Sequence, residues 1–280
     1  MRRKKSFISS RIGETCPVIS QENKLSLIHN HFSSIMGTPS TRSKAINCNE
    51  LGYTHHDLED LDAPFTDQEI KAVIKDMPAE KASGLDGFIG SFYKRCWTII
   101  KGDMLQAIMS FYNHRTTRLG LINEANIVLL PKTQDARSVS DYRPISLINS
   151  FIKIITKILA NRLAPHMNSL VSNAQNAFIK KRCIHDNFIY VQRVIQLLHK
   201  KKKLTLFIKL DISKAFDSIG WSFLLEVLEK LGFSRKWRDW IAAFLGTASS
   251  KVLVNGQLTK EIRHGRGLRQ GIHCHRFYSS

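Results

Sequence analysis

Apolar residues recur along this chain in two different spacings, and that difference constrains the fold more than any other feature. In several stretches they return every three or four residues, which places them on one face of an α-helix. A Thr66-x-x-Glu69 capping box opens one such stretch and Pro78 ends it, while Pro165 ends another. The helices predicted in this way cover residues 25–35, 66–77, 89–100, 104–112, 151–163, 186–199, 221–231 and 237–245.

Short apolar runs, too short for a buried helix, indicate β-strands between these helices. Residues 126–130 form one run, and residues 204–210, which lead directly into Asp211, form another. Residues 251–254 are followed by Asn255-Gly256 and a second alternating run, the strongest short-range signal for a β-hairpin in this sequence. Helices and strands mixed in this way, without an internal repeat, predict an α+β fold.

The chain carries a large excess of positive charge. Lys and Arg number 42 against 23 Asp and Glu, which gives a formal charge of +19. An excess of this size favours nucleic acid as the partner over a membrane surface. It also makes nucleic-acid binding a better explanation of the charge than solubility alone. No stretch approaches the ~18 apolar residues of a membrane-spanning helix, and the polar start lacks the apolar segment of a secretory signal. We therefore expect an intracellular protein, nuclear or cytoplasmic, that is not secreted and contacts no membrane.

Asp211 is the first candidate for chemistry, because a carboxylate at the end of an apolar strand is a position where a hard cation such as Mg²⁺ could be held. The alternative is that Asp211 caps the following turn and that Phe216 packs in the core. These residues alone do not decide between the two interpretations.

The neighbouring segments favour the first interpretation. From about Pro64 to Gly271 the chain resembles the reverse transcriptases of non-LTR (LINE-type) retrotransposons, and five motifs stand in that family's order. Leu85 and Lys181 depart from the family's usual Pro and Gly. The matching segments are Ser83-Gly84-Leu85-Asp86-Gly87 with Phe92-Tyr93, Ile127 to Lys132 with Tyr142 to Leu147, Gln175 to Arg182 with Asp186-Asn187, Asp211 to Phe216, and Arg266 to Gly271.

The resemblance implies an RNA-directed DNA polymerase, a nucleotidyltransferase that extends a DNA primer on an RNA template with deoxynucleotides. In that family the primer 3′-hydroxyl attacks the α-phosphate, and two Mg²⁺ ions stabilise the attacking and leaving oxygens. Asp211 would be the catalytic residue and the metal ligand. The implied fold is the right-hand polymerase fold, here with fingers and a partial palm.

The same resemblance implies a nucleotide-binding set. Lys132 and Arg143 would approach the triphosphate, and Phe216 would lie under the sugar and exclude a 2′-hydroxyl. Gln270 and Gly271 would support the templating base and the incoming nucleotide. The alternatives are exposed loop charges for Lys132 and Arg143 and plain core packing for Phe216.

The predicted organisation has four parts. Residues 1–60 are a polar leader or linker, 61–200 a mostly helical region before and within the fingers, 201–271 a partial palm, and 272–280 an aberrant tail. Two basic groups are candidates for binding nucleic acid: Lys180, Lys181 and Arg182, and Lys200, Lys201, Lys202 and Lys203.

The sequence departs from the family beyond Gly271. The family continues Gly-Asp-Pro-Leu-Ser-Pro, whereas here Ile272 to Ser280 follow, a difference that a single-nucleotide deletion would produce. No Asp-Asp pair occurs and no acidic residue follows Glu261, so we expect the catalytic Asp-Asp hairpin and the thumb to be missing and the chain to be inactive. A catalytically dead nucleic-acid-binding remnant and a basic interaction module remain as alternatives.

Overall fold

The computed structural model describes residues 20–39, 42, 47, 50, 52–115, 118–136, 138–177, 179–210 and 215–269. Within these ranges the chain forms helices and a mixed sheet, so the α+β class is confirmed at that level. A π-helix, Ser33–Gly37, continues the first α-helix, and 3-10 turns cover Glu59–Asp62, Val139–Asp141 and Ala164–His166. The α-helices are α1 (Gln21–Phe32), α2 (Asp67–Asp76), α3 (Gly90–Arg95), α4 (Trp97–Tyr112), α5 (Leu119–Ile122), α6 (Ser150–Leu163), α7 (Met167–Leu170), α8 (Ile184–Lys200), α9 (Ala215–Ser218), α10 (Trp221–Lys230) and α11 (Arg235–Gly246).

The five strands of the sheet are β1 (Glu124–Pro131), β2 (Tyr142–Ile148), β3 (Ser249–Val254), β4 (Gln257–Leu258) and β5 (Ile262–Arg263). Strand β1 pairs antiparallel with β2 and parallel with β3, and β3 pairs antiparallel with β4 and with β5. The sheet therefore joins segments from the predicted fingers and palm regions. The four-part division of the chain stays a prediction.

Local sequence signals explain where several elements begin and turn. Thr66 accepts a hydrogen bond from the Glu69 amide while the Glu69 side chain accepts one from the Thr66 amide, so the predicted capping box of α2 is confirmed. Ser234 caps α11 through the Trp237 amide. Between β3 and β4, Asn255 and Gly256 have φ angles of 51° and 86°, as a tight hairpin turn requires.

Two predictions about elements are wrong. The apolar pattern at 89–112 does not split near residue 103: the break lies at Cys96, whose φ of −93° and ψ of 6° separate α3 from α4. Residues 204–210 form no strand, although their composition favours one. A strand needs a neighbour to accept its backbone hydrogen bonds, and within the described residues none pairs with this run, whose Leu204, Phe207 and Leu210 are exposed.

Two hydrophobic clusters form the core of the described part of the chain. The larger one packs α2, α4, α6 and α11 around the fully buried Trp240 and includes Ala125 and Ile148 of the sheet. The smaller one packs Ile28 and Phe32 of α1 against Ile127 and Val252 of the sheet. The first helix is thus part of a core, because its apolar face covers one side of β1 and β3.

Candidate nucleotide and nucleic-acid interface

The β1–β2 hairpin carries the two basic residues predicted to meet a triphosphate. Leu130 pairs with Arg143 and Pro131 with Tyr142, so Lys132 and Arg143 lie near each other at the turn end of the hairpin. Both side chains are exposed. The Lys132 ammonium donates to the Ser140 carbonyl at 2.7 Å, which holds it beside the turn and leaves further N–H donors available.

The predicted motif at 83–87 forms a loop that docks on the first residue of α6. The Asp86 carboxylate accepts from the Ser150 amide at 2.8 Å, and the Asp86 amide donates to the Asn149 side chain at 3.0 Å. A Cβ on Gly84 would lie 2.4 Å from the Asn149 nitrogen, so this approach requires glycine. A carboxylate at a helix N-terminus is favourable because it meets unpaired N–H groups and the positive end of the helix dipole.

Lys153, one turn into α6, also binds this loop, so that Asp86 and Lys153 together clamp the loop to the start of the helix. The side chain is 7% exposed, and its ammonium donates to the Ala82 carbonyl at 3.0 Å. Burial, with Lys81 nearby, lowers the pKa of Lys153, and the negative charge of Asp86 acts in the opposite direction. The loop therefore fixes the junction between β2 and α6, which is the base of the basic hairpin.

The residues that follow Asp211 and those that precede Gln270 meet through backbone hydrogen bonds. The Leu268 amide donates to the Phe216 carbonyl and the Gly267 amide to the Ile219 carbonyl, both at 2.8 Å. The Trp221 indole N–H donates to the Gly267 carbonyl at 2.9 Å. Gly267 has a φ of 76°, and a Cβ there would lie 2.7 Å from the Asp217 carbonyl oxygen. Two segments about fifty residues apart are thereby brought side by side.

The contact between residues 216–221 and 267–268 forms a junction, and a small pocket lies where this junction faces the β1–β2 hairpin. Pro144 and Ser146 of β2 line one wall, and Asp217, Gly267 and Arg269 line another. The pocket therefore joins parts of three predicted motifs: the fingers strand, the segment after Asp211 and the segment before Gln270.

The electrostatics of this pocket are unusual. Arg269 is 7% exposed and one Nη donates to the Asn123 carbonyl, whereas its Nε and other Nη have no hydrogen-bond partner among the described residues. Burial lowers the pKa of this guanidinium to about 10. His264, whose Nε2 lies 2.9 Å from the Ser250 hydroxyl, has its pKa lowered to about 3 by burial and by the positive charge of Arg269. The imidazole is therefore neutral at physiological pH, which suits a site that already holds a buried cation.

The two basic groups predicted to bind nucleic acid differ in structure. Lys180 and Lys181 are exposed, but the Arg182 guanidinium donates to the carbonyls of Val171, Ser172 and Gln175 and to Asn168, so it organises its own loop. The second group, at 200–203, ends α8 and is exposed throughout. Positive charge in a last helical turn also complements the helix dipole.

Three predicted site residues, Asp211, Gln270 and Gly271, lie outside the described residues, as do the tail at 272–280 and most of the polar leader. Within the described ranges, no group of three His, Cys, Asp or Glu side chains is arranged to hold a metal ion. In the same part of the chain, no helix is both long and apolar enough to cross a bilayer.

Sequence reasoning missed the burial of His264 and Arg269 and the contacts of Arg266. The motif Arg266-Gly-Leu-Arg is visible in the sequence, but the sequence does not indicate which of its two guanidinium groups is buried. The paired glycines at 265 and 267 were the available signal, since closely spaced glycines often mark a close backbone approach.

The family model described as reverse transcriptase (RNA-dependent DNA polymerase) matches residues 130–274, and the chain belongs to that family. This match, together with the relatives described next, confirms the resemblance to non-LTR retrotransposon reverse transcriptases.

The relatives are proteins of retrotransposable elements. The chain is 27% identical over 213 residues to the transposon TX1 uncharacterized 149 kDa protein of Xenopus laevis, covering 76% of this chain and 16% of that protein. It is 26% identical over 241 residues to the retrovirus-related Pol polyprotein from the type-2 element R2DM of Drosophila melanogaster, covering 86% and 22%. An R2 Pol polyprotein of Nasonia vitripennis is 27% identical, covering 77% and 20%. The chain thus spans about a fifth of the length of these curated relatives.

Among solved structures, a chain of a partial Cas6-RT-Cas1–Cas2 complex overlaps 84% of this chain, with 16% sequence identity and a TM-score of 0.42; 35% of that chain is covered.

Proposed function

We propose that these residues are the nucleotide-binding and template-binding part of an RNA-directed DNA polymerase from a LINE-type retrotransposon. The observation that carries the proposal is the junction at which Phe216 and Ile219 accept from Leu268 and Gly267. It brings the residues after Asp211 beside those before Gln270, and both face the basic β1–β2 hairpin across one pocket. Family membership supports this assignment.

Each residue of the proposed nucleotide site acts through ordinary contacts. Arg143 and Lys132, exposed at the end of the hairpin, bind phosphate oxygens, Arg143 through a fork that matches phosphate geometry and stays charged. Phe216 packs against the sugar and excludes a 2′-hydroxyl. Gln270 and the small Gly271 support the base pair being formed.

The residues of this chain do not by themselves fit a two-ion Mg²⁺ site. Asp211 is the one carboxylate that the motif supplies, and the described residues hold no cluster of metal-binding side chains. Mg²⁺, when bound in this family, stabilises the charge of the transferring phosphate. We propose that these 280 residues, taken alone, bind substrates without incorporating nucleotides.

Template and primer would be held by exposed lysines. Lys180, Lys181 and the lysines at 200–203 offer charge to phosphate, whereas Arg182 holds the loop at 168–175. Such contacts release counterions and depend steeply on salt. A location inside the cell, nuclear or cytoplasmic, belongs to the same proposal, since the template is an RNA.

The test of catalysis is primer extension on an RNA template with Mg²⁺ and deoxynucleotides, comparing the chain with Asp211→Ala. No extension by either supports binding without incorporation. Extension that is lost in Asp211→Ala would mean that further carboxylates complete the site and that the chain is an active polymerase.

A second test separates a nucleic-acid-binding remnant from a basic interaction module. The Lys201→Ala/Lys203→Ala variant is compared with Lys71→Ala/Lys75→Ala, which removes the same charge from the exposed face of α2. For an RNA–DNA duplex we expect the first variant to reduce the slope of log affinity against log salt by roughly 1.4–1.8, and the second to leave it unchanged. Equal effects, or binding that ignores salt, would favour the interaction module.

A further inference from the structure

Arg266 connects the N-terminal helix to the junction described above. The Arg266 Nε donates to the Ile35 carbonyl at 2.6 Å and one Nη to the Ser34 carbonyl at 2.7 Å. The amides of Gly265 and Arg266 both donate to the Met36 carbonyl, at 2.7 and 3.3 Å. Two consecutive residues thus donate four hydrogen bonds to three successive carbonyls that lie more than two hundred residues away in the sequence.

The three carbonyls belong to the π-helix Ser33–Gly37, where the first helix ends. The last carbonyls of a helix have no partner within it, and they form the negative end of its dipole. A guanidinium fork satisfies two of them at once and complements their charge, which an ammonium does less well because it is a point donor. The chemistry of the site therefore explains why arginine stands at 266.

The chain approaches the π-helix closely at this point. A Cβ on Gly265 would lie 2.9 Å from the Gly37 carbonyl oxygen and 3.0 Å from the Pro39 nitrogen. Glycine at 265 is therefore required for the contact, just as Gly267 is required for the contact with Asp217.

The next two residues, Gly267 and Leu268, connect Arg266 to the proposed nucleotide site. Gly267 and Leu268 donate to Ile219 and Phe216, so the segment 265–268 is bonded to the π-helix at its start and to the Phe216 main chain at its end. A shift at Arg266 would move the backbone that carries the Phe216 ring.

We propose that Arg266 is a positioning residue of the nucleotide site: it latches the segment 265–268 to the π-helix and thereby sets the position of Phe216 against the sugar. The proposal rests on the proposed function only where it invokes the sugar. The latch itself is a statement about two segments of this chain.

The test uses Arg266→Lys in the full chain, with Arg263→Lys as the matched control. Arg263 lies three residues earlier on β5 with an exposed side chain, so its replacement makes the same chemical change without touching the latch. Hydrogen exchange is followed at residues 33–37 and 265–268, with α6 as internal reference. We expect Arg266→Lys to raise exchange at both segments together by about tenfold, as for the loss of one charge-assisted hydrogen bond, and α6 to be unchanged.

The second readout is sugar discrimination. Affinities for dCTP and CTP are measured on the chain bound to an RNA template and a dideoxy-terminated DNA primer. We expect discrimination to fall by roughly tenfold in Arg266→Lys and to be unchanged in Arg263→Lys. Unchanged exchange at the two segments, or unchanged discrimination despite local opening, would overturn the proposal. If the parent chain binds neither nucleotide, the proposed function fails, and the exchange result alone decides whether the latch exists.

Discussion

Helices α6 and α8 have similar amphipathic sequences and entirely different surroundings. Both contain apolar residues at helical spacing, and they are 14 and 17 residues long. Nine residues of α6 are buried, and none of α8 is. The difference shows that periodicity specifies a helix with one apolar face but says nothing about whether the described part of the chain supplies a surface to cover that face.

The two helices differ in their long-range polar contacts as clearly as they differ in burial. The N-terminus of α6 is held by Asp86 and its second turn by Lys153, both through atoms distant in sequence. Helix α8 is held near its start by Asn187, which bonds Asn176 and the Ala174 carbonyl. Beyond that point its apolar residues are largely exposed, as are those of the following run at 204–210.

The largest expected difference between the two helices comes from core truncation. Ile155→Ala in α6 removes a side chain with no exposed surface, so we expect the free energy of unfolding to fall by about 2–5 kcal/mol. Ile195→Ala in α8, where the side chain is nearly half exposed, should change it by less than about 0.5 kcal/mol. Urea denaturation of both variants measures this, and equal losses would mean that α8 is packed in solution.

The N-terminal carboxylates of the two helices should differ next. Asp86→Ala leaves the Ser150 amide without its carboxylate acceptor, at a cost of about 1–3 kcal/mol, whereas the hydrogen bond from the residue-86 amide to the Asn149 side chain is kept. Asp186→Ala removes an exposed carboxylate from the first turn of α8, where only a dipole effect of about 0.3–1 kcal/mol is lost. If Asp86→Ala costs no more than Asp186→Ala, the clamp on α6 contributes little.

The pH dependence of stability tests the burial of His264, which lies outside both helices. The folded-state pKa of His264, about 3, lies below its ordinary value of 6.5, so the unfolded state takes up a proton first. Stability is therefore full above about pH 6.5 and falls as the pH is lowered towards 3, by about 2 kcal/mol at pH 5. Glu69, whose pKa is lowered below 4.5 by its hydrogen bond with Arg162, contributes only at more acidic pH.

The measurement is the midpoint of urea unfolding at pH 7.5 and pH 5, with His264→Gln as control. The control should lose most of the difference between the two pH values. A pH dependence that survives in His264→Gln would show that the imidazole is not buried as described.

The sequence predicted local structure better than it predicted partners. The capping box at Thr66, the turn at Asn255-Gly256 and the strand before Pro131 follow from signals a few residues long, and all were found. The strand predicted at 204–210 failed because a strand depends on its neighbour. The motif order also identified the segments that meet at Phe216 and Leu268. The burial of Arg269 and the latch of Arg266 depend on packing between distant segments, which no local pattern encodes.

The smallest expected effect on stability is the sharpest test of the comparison between α6 and α8. Phe188 in α8 is 70% exposed, so Phe188→Ser should alter the free energy of unfolding by less than about 0.5 kcal/mol. As the reference for a buried ring, Phe111→Ser in α4, where the ring is 3% exposed and packs on Trp240 and Phe244, should lower it by about 3–5 kcal/mol.

Self-association gives a second readout on the same variant. An exposed apolar face promotes contact between molecules, so Phe188→Ser should shift sedimentation of concentrated protein towards the monomer. A large loss of stability in Phe188→Ser would instead mean that the ring is buried in solution. In that case the exposed face of α8 would be covered by a surface that the structure does not describe, and the contrast with α6 would lie in the partner rather than in the helix.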